Sequence, residues 1–157
     1  MTTPKQIAQL FDNLINGGNY TGVSFKKTLK DISFDEAITK ISDLNTIATL
    51  VYHIQYYCNA VIGVLEGKPL TAKDSLSFDH PPVLSVTDWE ALKIQIWEEA
   101  AHFSTLVAAL SEEKLSEGFI KDAYGTYYRN IHGVIEHTHY HLGQISILKK
   151  LIREKNL

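Results

Sequence analysis

The chain has little of several features that define common classes of protein. It contains one cysteine, Cys58, among 157 residues, which excludes an internal disulfide bond and suits the cytoplasm. No apolar run reaches the roughly 18 residues that a membrane-spanning helix needs, and the amphipathic N-terminal stretch lacks the apolar core of a signal peptide. The net charge of −3 offers no basic surface for nucleic acid. We therefore expect a cytoplasmic globular protein without nucleic-acid or membrane partners.

Strand-like alternation, internal repeats and phosphate-binding glycine loops are also missing. What the sequence does contain is four long amphipathic segments, with apolar residues recurring every three or four positions. They are predicted as helices over 4–15, 45–65, 87–110 and 131–152, the second beginning at Asn45 and the third at a Thr87-x-x-Glu90 capping box. Residues 1–157 should form a single all-α domain, an up-down four-helix bundle with a long crossover-type loop at 68–86.

The last segment carries the clearest chemical signal, the cluster HTHYH. His137 and His141 are four residues apart, so on a helix they share one face and can bind one ion. His139 points to a different side. A bare HxxxH pair also occurs by chance, and histidines beside an apolar stripe are often ordinary core or solvent-edge residues. A third ligand on another helix would favour a metal site.

Other polar residues are weaker candidates. His53 flanks the apolar stripe of the second helix, in the same kind of position as His137 on the last helix. Glu99 falls within the apolar sector of the third helix, where it would act as a ligand or second-shell group unless it reaches solvent. His80 lies in the long loop and is interpreted as solvated. Cys58 is interpreted as a small core residue rather than a nucleophile.

These features together resemble the DinB/YfiT-like superfamily. The resemblance rests on His53, the HxxxH pair, and the stretch YxxxIHGVIEHTHYHLGQISILKK, and it covers nearly the whole chain, including the LEG that ends the second helix. In that family, one histidine from the second helix and two from the last bind a divalent metal. The resemblance implies that His53, His137 and His141 are the metal ligands here. It assigns no ligand role to His139.

Two functions are compatible with this resemblance. In the first, the protein is a metal-dependent enzyme, a thiol S-transferase or a hydrolase, in which a three-histidine ion with an open position activates a thiol or water. The expected cofactors are divalent zinc, nickel or iron, and a low-molecular-weight thiol, with a small-molecule substrate. In the second, the bundle is a non-catalytic stress-response or binding module whose metal site is vestigial or structural.

Three further expectations concern assembly and packing. Family members are often homodimers, and the large aromatic side chains of Tyr52, Tyr56 and Trp97 lie outside the apolar stripes, so a symmetric homodimer is expected. Gly143 should permit the close approach of a neighbouring helix, so that its replacement by alanine destabilises the bundle. Gln144 lies on the His137 side of the helix, and replacing it with alanine should change metal affinity only slightly.

Overall fold

The structure is a computed structural model that describes residues 1–155. Its regular elements are seven α-helices: α1 (Thr3–Asn16), α2 (Phe25–Leu29), α3 (Phe34–Ile38), α4 (Ile47–Leu65), α5 (Val86–Ala108), α6 (Glu112–Ser116) and α7 (Tyr127–Lys155). Short 3₁₀ turns occur at Asp74–Leu76 and Asp122–Tyr124. The part of the chain that is described contains no strands, only a single bridge between Gly118 and Thr126. None of its helices is long and apolar enough to cross a membrane.

The four long helices pack together as a bundle, which confirms the predicted all-α fold. Helix α1 packs against α5, α5 against α4, α4 against α7, and α7 against α1. Helices α1 and α4 therefore lie diagonally opposite each other, as do α5 and α7. The long loop joins two neighbours, α4 and α5. The contact between α4 and α7 positions the histidines, because it places the second turn of α4 beside the middle of α7.

The starts of α4 and α5 differ from their predicted positions. Helix α4 is capped by Thr46, whose side chain accepts the backbone N–H of Thr49, rather than by Asn45. Helix α5 is capped by Ser85, whose hydroxyl accepts the N–H of Asp88, while the Asp88 carboxylate accepts the N–H of Leu84. The predicted Thr87-x-x-Glu90 box is therefore wrong. Ser85 and Asp88, two residues earlier, instead accept backbone N–H groups that have no partner within the helix.

The connections between the long helices contain short helices that periodicity did not predict. Helix α2 lies between α1 and α3, and α6 lies in the link that precedes α7. Each is five residues long, too short for a periodic pattern to be recognised. Tertiary contacts hold this part of the chain in place: the buried indole N–H of Trp89 donates to the Ile32 carbonyl at 2.9 Å, and Arg153 bonds to Asp31 and Glu36.

Candidate metal centre

The three predicted ligands converge where α4 packs against α7. The Nε2 atom of His137 is 3.0 Å from Nε2 of His53 and also 3.0 Å from Nε2 of His141. Zinc–nitrogen bonds are about 2.0–2.1 Å long, so two nitrogens on one ion lie about 3.0–3.4 Å apart. All the potential ligand atoms of the group are within 4.8 Å of one another. This spacing fits three imidazoles that share one ion.

Hydrogen bonds on the far sides of two rings decide which nitrogens face the centre. His53 Nδ1–H donates to the Ser77 carbonyl oxygen at 3.2 Å, and His141 Nδ1–H donates to Gln144 Oε1 at 2.7 Å. Because a neutral imidazole carries a single proton, both rings then turn an Nε2 lone pair towards His137. Nε2 of His137 carries at most one proton, so it cannot donate to both neighbours. A cation satisfies all three nitrogens at once.

Burial keeps the three rings neutral. His53 and His141 are 6% and 7% exposed, and His137 is half-buried. Burial, together with the nearby His141 and His53, lowers the pKa of His137 to about 4. Burial is also the main reason that the pKa values of His53 and His141 fall below their usual value. Near neutral pH all three imidazoles are therefore in the form that binds metal.

The loop between α4 and α5 closes one side of this centre. The ring of Phe78 stacks on the His53 ring with 3.9 Å between centroids and an interplanar angle of 7°. Tyr57 packs edge-on against both His53 and His137, and its hydroxyl donates to the Asp74 carboxylate at 2.8 Å. Residues of the predicted loop thus do contact the histidines, which excludes water from that side of the rings.

Glu99, His80 and His139, which the sequence also singled out, do not join the three histidines. Glu99 lies on α5, where one carboxylate oxygen accepts a hydrogen bond from Gln95 and the other is buried with no partner among residues 1–155. His80 bonds to the Thr49 hydroxyl and to the Pro81 carbonyl. His139 is half-buried on another side of α7. Among residues 1–155, the group that can hold an ion consists of His53, His137 and His141.

The expectation for Gly143 is wrong. A Cβ atom built on this residue would have nothing within 4 Å, because the position is exposed and no helix passes close to it. The side chain of Gln144 contacts the centre, since it accepts from His141 and donates to the Tyr140 hydroxyl at 3.2 Å. The spacing from His141 to Gln144, three residues on a helix, was the available signal. Ser77 and Phe78 offered none, because a distant loop brings them to His53.

A small cavity lies on the Gln144 side of the centre. Its volume is about 250 Å³, and its lining residues are Asp43, Leu44, Asn45, Leu50, Gln144, Ile147 and Leu148. Leu50 is one turn before His53 on α4, and Gln144 bonds directly to His141. The walls are mostly aliphatic, with polar groups at Asp43 and Asn45. The cavity is thus a mainly apolar space that none of the three histidines lines and that adjoins His141 through Gln144.

Fold and site define a four-helix-bundle protein with a three-histidine centre of the kind that holds a divalent metal. In a comparison with protein families, the model of the DinB superfamily matches residues 23–145 of the chain. The chain therefore belongs to that superfamily. No significant match to a curated protein or to a solved structure was found. The matched range contains all three histidines and the loop that covers His53.

Proposed function

We propose that the protein is a metal-dependent enzyme in which His53, His137 and His141 hold one divalent ion, zinc, nickel or iron. The observation that carries the proposal is the convergence of three Nε2 atoms, two of which are turned inward by hydrogen bonds on the opposite ring nitrogen. Such a bound ion supplies Lewis-acid chemistry, lowering the pKa of a coordinated thiol or water. The proposed reaction is thiol S-transfer, or hydrolysis if water takes the place of the thiol.

The side chains around the ligands have separate tasks in this proposal. The Ser77 carbonyl orients His53, and the Gln144 amide oxygen orients His141. Both hydrogen bonds make the Nε2 atom of the ring a stronger electron-pair donor to the ion. Phe78 and Tyr57 shield the ring faces from water, which strengthens electrostatic interactions at the centre. The small cavity beside Gln144 would receive the apolar part of a compact substrate. Its aliphatic walls at Leu44, Leu50 and Leu148 favour such a group.

A thiol-consumption assay tests the reaction. Purified protein loaded with zinc is incubated with a low-molecular-weight thiol and a panel of small electrophiles, and the remaining free thiol is measured. We expect electrophile-dependent loss of thiol that disappears after chelation and in His137→Ala. A matched control, His139→Ala, should retain the loss because His139 lies outside the centre. If metal-loaded and chelated protein behave alike with every thiol and with ester substrates, the centre is structural or vestigial and the protein is a binding module.

The homodimer and the cytoplasmic location also remain proposals. Tyr52, Tyr56 and Trp97, which first suggested an interface, contact their own chain: Tyr52 packs on His80, Tyr56 bonds to the loop, and Trp97 packs on Phe25. A better-exposed apolar surface is formed by Leu44, Tyr140 and Ile147, which are 51%, 65% and 60% exposed. Exposed apolar patches of this kind often mark interfaces. A cytoplasmic location is supported by the single unpaired cysteine and by the need for reduced thiols.

A further inference from the structure

A second and larger cavity lies on another side of α4, away from the three histidines. It is a cleft of about 1070 Å³ between α4, α5 and the segment 66–83. This volume is at the upper end of the range for small-molecule sites. None of the three histidines lines it, while Leu76 and His80 do. The loop residues between these two, Ser77 and Phe78, contact His53 instead, so the loop separates the cleft from the metal centre.

The inner wall of the cleft contains the Gln55 amide, whose polar atoms face the open space of the cleft. Gln55 on α4 is 3% exposed and lines the cleft, and its side chain forms no hydrogen bond with any of residues 1–155. The nitrogen and oxygen of this carboxamide are not among the buried atoms that lack a partner, so they reach the space inside the cleft, where a ligand can replace water as their partner. The amides of Asn59, one turn further along α4, and of Gln95 on α5 line the same cleft. The chain thus directs donors and acceptors into a space that it does not fill.

The other walls are flat and apolar. The half-buried ring of Tyr56 is held in place because its hydroxyl accepts the backbone N–H of Lys73 at 2.8 Å and donates to the Lys73 carbonyl at 3.0 Å. The Tyr52 ring lies beside it, with 6.2 Å between the ring centroids. Leu92 and Val83 contribute aliphatic surface. Such surroundings suit a planar ring system, which packs well against aromatic side chains.

The charged groups that line the cleft are already engaged. The Glu66 carboxylate is bonded to Lys68 and His102, and the Asp88 carboxylate accepts the backbone N–H of Leu84. Lys68 is paired by the same Glu66. The Gln95 amide already donates to Glu99. The polar groups that remain are uncharged, the amides of Gln55 and Asn59 and the hydroxyls of Tyr52 and Thr71, so the cleft should prefer an uncharged ligand that presents both a donor and an acceptor.

We propose that this cleft binds a neutral planar molecule with a lactam-type edge, an N–H next to a C=O, which pairs with the Gln55 carboxamide. The ring of the ligand packs against Tyr52 and Tyr56. The site is distinct from the metal centre and does not depend on the chemistry proposed there. Its ligand class is that of cyclic amides and of heterocycles with the same edge.

A pair of matched probes tests this assignment. Binding of 2-quinolinone, which has the lactam edge, is compared with that of quinoline, which lacks it, by following backbone amide shifts in two-dimensional NMR spectra. We expect 2-quinolinone to bind about tenfold more tightly, in keeping with one or two buried hydrogen bonds, and to shift residues of α4 and α5 that line the cleft. Equal affinity for the two probes, or no binding of either, would overturn the proposal.

Variants of Gln55 test whether its carboxamide is responsible for the preference for 2-quinolinone. Gln55→Leu should remove the preference for 2-quinolinone and leave the melting temperature nearly unchanged, because the Gln55 side chain forms no hydrogen bond with the rest of residues 1–155. Gln55→Met provides the same test if the leucine variant does not fold. Gln9→Leu, on the exposed surface of α1, is the control and should keep the preference. His141→Ala, which removes a histidine of the centre that does not contact the loop, should keep it as well. A Gln55 variant that still prefers 2-quinolinone would refute the pairing, and loss of binding in His141→Ala would refute a separate site.

Discussion

Replacing Gln144 with leucine isolates the hydrogen bond that orients His141. The bond from His141 Nδ1–H to Gln144 Oε1 is 2.7 Å long and directs the Nε2 lone pair of His141 to the centre. Loss of such an outer-shell partner lowers metal affinity by about 10–100-fold, which is about 1.4–2.7 kcal/mol. This is a larger effect than the sequence suggested. Gln144→Glu keeps an acceptor at the same position and should retain most of the affinity.

Competition against a chromophoric zinc chelator near neutral pH measures this effect. The matched control is the neighbouring Gly143→Ala, which should bind zinc like the original protein. Because a Cβ at position 143 meets nothing within 4 Å, that variant should also gain up to about 1 kcal/mol of stability from better helix propensity. The reasoning fails if a folded Gln144→Leu protein binds zinc as tightly as the original. It fails equally if Gly143→Ala weakens binding to the same extent as Gln144→Leu.

The remaining predictions concern stability, reactivity and assembly. Hydrogen bonds from Lys149 and Arg153 hold the pKa of Asp31 at about 2, below its usual 3.8, so its contribution to stability is present above that usual value and is lost as the pH falls through about 2. Since Asp31 is largely exposed, urea unfolding should show that Asp31→Asn lowers the free energy of unfolding by less than about 1 kcal/mol near neutral pH. This difference should disappear at low pH, and a difference independent of pH would contradict the reasoning. Burial raises the pKa of the Cys58 thiol, so a disulfide reagent should label it only after denaturant is added, and rapid labelling of the folded protein would show the thiol to be accessible. Light scattering should give twice the 17.7 kDa mass of the chain, whereas a monomeric mass across a wide range of concentration would exclude the proposed dimer.

The bundle could be predicted from the sequence because its long helices obey a periodic pattern. The stripe of α7, from Ile131 to Ile152, is buried as expected, and so is most of the stripe of α4. The positions of helix starts were less certain. Several residues near each start can act as caps, and the choice between Ser85 and Thr87 depends on which side chain finds a free N–H group. Five-residue helices such as α2 are set by tertiary contacts rather than by their own pattern.

The convergence of His53, His137 and His141 could likewise be predicted, but the loop residues that contact His53 could not. His137 and His141 share a helix face by spacing alone, and the family resemblance supplied His53. The bond to the Ser77 carbonyl depends on the path of a loop 24 residues further along the chain. No local pattern encodes that contact. Gly143 shows the converse error, because a glycine within a helix was given a packing role that the open space around it does not support.

Titration of metal-free protein with zinc, followed by calorimetry, tests the central claim most directly. We predict one ion bound per chain in the original protein and in His139→Ala, and a loss of tight binding in each of His53→Ala, His137→Ala and His141→Ala. Removing a nitrogen ligand affects the coordination itself, so each loss should exceed that of Gln144→Leu. Unchanged zinc binding in the three ligand variants, or an equal loss in His139→Ala, would contradict the assignment of these histidines to a single metal site.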